Sequence, residues 1–151
     1  MNSRQIVLMA FLALSAAATV SAQDSKAYAQ MATASWSAFE CSSLASKAGK
    51  PKEQERLFLY GYEQGKTFIS AVQAGKVEQK DLSSEAPWIM LLLLEGPSPD
   101  FMLGRIYESA QNSALKDVYK TGDQFNSDEE QIAIAANEFR KLNCQLIGNV
   151  R

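Results

Sequence analysis

The chain has 151 residues, 46% of them hydrophobic and 21% charged, with a net charge of −2 at neutral pH and no histidine. So mildly acidic a chain lacks the basic footprint of a nucleic-acid binder. Without histidine it also lacks the commonest general base near neutral pH and the commonest ligand of catalytic zinc, which excludes Ser-His-Asp hydrolases and ordinary zinc hydrolases.

Residues 1–22 read as a secretory signal peptide: one positive charge at Arg4, an uncharged run from Ile6 to Val20, then Val20-Ser21-Ala22 as a small-residue cleavage site. That run is shorter than the about 20 residues a membrane-crossing helix needs. Neither cysteine lies just after the cleavage site, so a lipid anchor has no residue to use. The expected mature protein is residues 23–151, a single domain exported to a periplasm or secreted, and not membrane-spanning after processing.

Five helical segments follow in chain order, with no period-2 run, so the expected fold class is all-α: a small helical bundle of about five helices closed by one disulfide. The first segment, from Asp24 to about Lys47, is rich in Ala and Ser; its beginning reads as frayed, with packing from Trp36 onward. Gly49 ends it, and Pro51 suits the first turn of the next helix. The second segment, Lys52 to Ala74, carries Leu57, Gly61, Gly65, Phe68 and Val72 on one stripe. Two glycines inside a helix cost up to about 1 kcal/mol each, so the stripe predicts close approach of another helix at Gly61 and Gly65.

Lys76 to Ser84 is polar and reads as a connection. From Pro87 a short helix carries the apolar run Trp88 to Leu94 as far as Glu95, and Gly96-Pro97-Ser98-Pro99 breaks it. Ser98 or Asp100 caps a fourth helix to about Lys120, with Leu103, Ile106, Tyr107, Ala110, Ala114 and Val118 inward. Thr121 to Asn126 reads as a loop. Ser127-Asp128-Glu129-Glu130 has the capping-box pattern and opens a fifth helix, ending near Cys144, with Ile132, Ala135, Ala136, Phe139 and Leu142 inward.

Cys41 and Cys144 are the only cysteines. In an exported chain that even count predicts a disulfide between them, and neither a C-x-x-C spacing nor a neighbouring histidine supports a redox or metal role. Lys47, Lys50 and Lys52 lack interleaved aromatics and read as a solvated turn. No phosphate-cradling loop, nucleophile elbow or calcium loop is present, so no catalytic, cofactor-binding or metal residues are assigned and no cofactor is expected.

A carboxylate enzyme acting on cell-wall or other glycans needs only two acids across a cleft. Glu63, Glu95, Asp100 and Glu108 are its candidates. Each also has a plain structural reading: Glu63 on a polar face, Glu95 at a helix end, Asp100 as a cap, Glu108 paired with Arg105. The run Met90 to Leu94 is too continuously apolar for one helix face, so it is either covered all round or leaves a bare side for a partner. Arg105 is placed to pair with Glu95 or Asp100 and pin the reversal. Tyr60 and Tyr62 bracket Gly61 and point different ways, so at least one reaches the surface.

In its leader, its cysteine pair and its segment Gly61-Tyr62-Glu63-Gln64-Gly65, the chain resembles small periplasmic helical families such as secretion-system immunity proteins and acid-stress chaperones. The resemblance covers a small part of the chain and carries over no site. The expected function is an exported interaction protein that binds or inhibits another envelope or secreted protein, its surface drawn from Tyr60, Tyr62, Trp88, Leu91, Glu95, Asp100 and Arg105. The alternatives are the carboxylate enzyme and a carrier of an apolar ligand held beside Leu91 to Leu94 and Phe101.

Overall fold

The computed structural model describes residues 17–149, with side chains from Asp24 onward. The leader reading therefore falls largely outside the described residues. The fold is all-α. Its elements are α1 Ala17–Lys47, α2 Pro51–Gln73, α3 Gln79–Glu85, α4 Trp88–Leu92, α5 Pro99–Tyr119, α6 Asp128–Lys141 and a 3-10 turn Cys144–Leu146. Two short strands, β1 Lys120–Thr121 and β2 Gln124–Phe125, pair antiparallel between α5 and α6.

Helix α1 is the spine: α2 returns along it, α5 crosses both, and α6 and α3 pack on its two ends. The close approach predicted at the two glycines occurs between α1 and α2. A Cβ on Gly61 would stand 2.9 Å from the Phe39 ring and 3.2 Å from Ala38, and one on Gly65 would stand 2.5 Å from Leu103 and 2.6 Å from the Ser35 hydroxyl. The Ser35 hydroxyl donates to the Gly61 carbonyl at 2.8 Å. Ala38 and Ser35 of α1 are the small residues that face Gly61 and Gly65 of α2, and Ala29, Ala32 and Ala45 are also fully buried along α1. That allows backbones to come close and gain dispersion contacts over a long seam.

Two hydrophobic clusters divide the interior. One joins Phe39, Phe68, Ile69, Met90, Met102, Leu103 and Ile106, from the middle of α1, the far half of α2, α4 and the first half of α5. The other joins Cys41, Leu44, Leu57, Leu115, Val118, Phe139 and Cys144, from the opposite end of α1 and α2, the second half of α5, and α6. Cys41 and Cys144 are disulfide-bonded across a Cα–Cα distance of 5.5 Å, so α1 is tied covalently to the end of the chain.

Several local expectations need correcting. The polar stretch after Gly75 is not a plain connection, because Gln79–Glu85 forms α3. Its docking is polar: the buried Ser25 hydroxyl donates to Asp81 and accepts from the Glu78 N–H, Thr33 donates to the Glu85 carbonyl at 2.6 Å, and Lys26 pairs with Glu85 at 3.2 Å. For the same reason the start of α1 is not frayed: Ser25, Ala29 and Ala32 are all buried. The loop from Thr121 contains a β-hairpin rather than irregular chain. Ile132 and Leu142, expected inward, are 49% and 48% exposed, because Ala135 and Phe139 supply the contacts that seat α6.

The caps behave as the sequence predicts. Ser127 and Glu130 make the full capping box, each side chain taking the other's backbone N–H. Ser98, rather than Asp100, caps α5 by accepting from the Phe101 N–H at 3.2 Å. At the chain end, Arg56 donates to the Ile147 carbonyl and, at 3.4 Å, to the Cys144 carbonyl, placing a cation over the carbonyls of the closing turn.

Candidate interaction surface at the α4–α5 corner

The apolar run Trp88 to Leu94 divides by side. Met90 is fully buried in the first cluster, and Leu91, Leu93 and Leu94 are half-buried against it. Trp88 and Leu92 lie one helical turn apart and so project the same way. They are 70% and 57% exposed. Leu91, placed on the candidate surface by sequence, is half-buried against the first cluster, and its neighbour Leu92 is the more exposed of the two.

The reversal after α4 adds a second apolar element. Gly96 has φ +149°, a conformation that L side chains rarely adopt, and the Phe101 ring packs directly where its side chain would be. Phe101 stays 50% exposed. Arg105 stacks 6.0 Å from that ring and donates to the Glu95 backbone carbonyl at 2.7 Å. Arg105 thus ties α5 to the reversal through a backbone carbonyl rather than through either expected carboxylate. It makes no ion pair with Glu108 among the described residues.

Asp100 is engaged from the other side. The Tyr62 hydroxyl donates to Asp100 at 2.8 Å, which holds the phenol above its ordinary pKa because the bonded carboxylate disfavours phenolate. Lys66 sits 5.5 Å from the Tyr62 ring. The structure therefore brings Tyr62 to Asp100 and Arg105 to Glu95 and Phe101. Tyr60 turns instead to the chain end, where a Cβ on Gly148 would fall 2.9 Å from its ring.

Two concavities are described elsewhere. An open groove of about 350 Å³ has Tyr28, Glu63, Lys66, Ala71 and Lys76 in its lining. A second, of about 290 Å³, lies among α1, α5 and α6. Neither is lined by Leu91 to Leu94 or Phe101, the site that an apolar-ligand carrier was expected to use. Of the four acids considered for a glycan enzyme, Glu63 alone lines either concavity. Among the described residues no helix is long and apolar enough to cross a membrane, and no three Cys, Asp or Glu side chains cluster as metal ligands. No protein-family model, curated protein or solved structure matches the chain.

Proposed function

We propose that the chain is an exported helical binding module that docks another protein on the α4–α5 corner. The observation that carries this reading is the outward pair Trp88 and Leu92, 70% and 57% exposed, on a helix whose other side is anchored by the fully buried Met90. Tryptophan is among the residue types enriched where interfaces are anchored, and Leu92 beside it extends the apolar area a partner can cover. Exposed Glu95 and Asp100 rim the corner with negative charge, which favours a partner that combines an apolar anchor with basic neighbours.

Export is supported by the leader pattern and by the Cys41–Cys144 bridge, since disulfides persist in oxidising compartments. The proposed cut after Ala22 leaves Ser25, the first buried side chain among those described, and its bonds to α3 intact.

A photo-reactive residue at position 92, expressed in the native host and illuminated, should give one discrete cross-linked adduct, and Trp88→Asp should abolish it. The same probe at position 52, on exposed α2 surface, should give none. Equal labelling from both positions, or no adduct from position 92, overturns the docking face. N-terminal sequencing of the exported protein should begin at Gln23.

A further inference from the structure

We propose that the α4–α5 corner also takes a second copy of this chain, in a weak two-fold pair that covers the docking face of both copies until a partner displaces one of them. This rests on the reading of the corner as a docking face and assigns the regulation of that face.

The first feature that fits a second copy is the apolar ridge. Trp88 and Leu92 stand one turn apart on a five-residue helix, both mostly exposed. In a two-fold contact residue i of one copy meets j of the other while j meets i, so two antiparallel copies of α4 set each Trp88 against the other's Leu92. Each copy contributes the same face. The assembly therefore closes at two and leaves neither ridge bare.

The second feature is charge. The corner carries two carboxylates, Glu95 and Asp100, both exposed, and two cations, the exposed Lys66 and the half-buried Arg105. They are held close together by their other contacts. Arg105 donates to the Glu95 backbone carbonyl at 2.7 Å, Asp100 accepts from the Tyr62 hydroxyl at 2.8 Å, and Lys66 lies 5.5 Å from the Tyr62 ring. Yet no cation of the corner pairs with either of its carboxylates: the ion pairs among the described residues are Lys26–Glu85, Arg56–Glu53, Lys80–Glu78 and Lys141–Glu138. A partner with basic neighbours answers the two acids. A second copy answers all four groups, because it brings both signs and a two-fold axis can set the acids of one copy against the cations of the other.

The apolar area sets the strength. Large aromatic side chains bury about 150–250 Å² each, and Trp88, Leu92 and Phe101 are each only partly exposed. Together they fall well below the about 800 Å² per partner of a standard interface. The pair therefore forms at high concentration, dissociates on dilution and yields to a better-filled contact with another protein. It serves as a reversible cover for an apolar patch.

The test is sedimentation velocity of the disulfide-bonded protein purified after export, from roughly 10 μM to 1 mM. The mean mass should rise from one copy toward two and stop there, with weaker pairing at high salt. Leu92→Ser should weaken pairing about tenfold or more. Two reversed variants test the charges: Glu95→Lys/Asp100→Lys and Lys66→Glu/Arg105→Glu should each stay single alone and pair when mixed, and adding Leu92→Ser to both should abolish the mixed pair. One copy throughout the range, growth beyond two, Leu92→Ser pairing like the parent protein, or folded reversed variants that stay single when mixed would each overturn the proposal.

The mass of the adduct cross-linked from position 92 separates this pair from the partner. A foreign adduct from a chain that sediments as one copy keeps the partner and removes the pair. An adduct of two copies and nothing else keeps the pair and removes the separate partner.

Discussion

The two ends of the bundle are built from the same three long helices but are fastened differently. At one end, the Cys41–Cys144 bridge and Arg56 lock the chain terminus onto α1 and α2. At the other, α4 is only five residues long, and Met90 is its one fully buried side chain. The covalent end adds the bridge to a well-filled cluster of Leu44, Leu57, Leu115, Val118 and Phe139. The non-covalent end must spend Met90 and the half-buried leucines on packing, and the residues left over, Trp88 and Leu92, emerge as an apolar face.

The sharpest way to break this contrast is to remove the bridge. Cys41→Ser/Cys144→Ser opens a loop with a sequence separation of 103, which costs about 4 to 5 kcal/mol in the chain-entropy model. Chemical denaturation should show a loss of that order, and hydrogen exchange should accelerate first in α6 and the closing turn while α4 and the first half of α5 keep their protection. Uniform acceleration over the whole chain would mean that the two ends are one cooperative unit.

Substitutions inside α4 test the other end. Met90→Ala should cost about 2–5 kcal/mol, the usual range for emptying a filled core position. Leu92→Ser, two residues on, should stay within about 0.5 kcal/mol because its side chain is mostly in water. Comparable losses from both would place Leu92 in the core and remove the docking face.

The glycines sharpen the comparison along the seam between the ends. Gly65→Ala forces a methyl group against Leu103 and Ser35 and should destabilise by about 1–3 kcal/mol. Gly104→Ala, on α5 with nothing within 4 Å of the new atom, should stabilise by up to about 1 kcal/mol. Thermal unfolding midpoints moving in opposite directions would confirm both.

The smallest effect is in acid. Glu85 lies below its ordinary pKa of 4.5, first through the hydrogen bond from Gln30 and then through Lys26, and Glu130 does so through the backbone N–H of Ser127. Both carboxyls bind protons more weakly in the folded chain than in the unfolded one. Their contribution is therefore complete above the unfolded value and is lost as pH falls through the lower folded value. Unfolding midpoints should drop below about pH 4.5, and Glu85→Gln should reduce the drop. A variant with an unaltered acid profile would show that the α1–α3 contact is not held by this carboxylate.

Much of the fold was legible because its signals are local. The stripe of Leu57, Gly61, Gly65 and Phe68, the caps at Ser98 and Ser127, and the two cysteines each act through near neighbours or through a fixed compartmental chemistry. Helix α3 was not legible, because periodicity detects apolar faces and α3 docks through Ser25, Thr33 and Lys26, whose partners lie more than fifty positions away in sequence. The lysines at 47 and 50 lacked aromatic neighbours in sequence and acquired Tyr119 and Phe139 only by folding.

The sequence by itself determined the helical class, the two close-packing glycines, the helix caps and the pairing of two lone cysteines. Each of these follows from propensity, spacing or count. Only the tertiary structure decided which side of the apolar run faces water and which charges gather at its corner. Burial is a property of what covers a residue, and the covering atoms of Met90, like the Tyr62 hydroxyl on Asp100, come from helices far away along the chain.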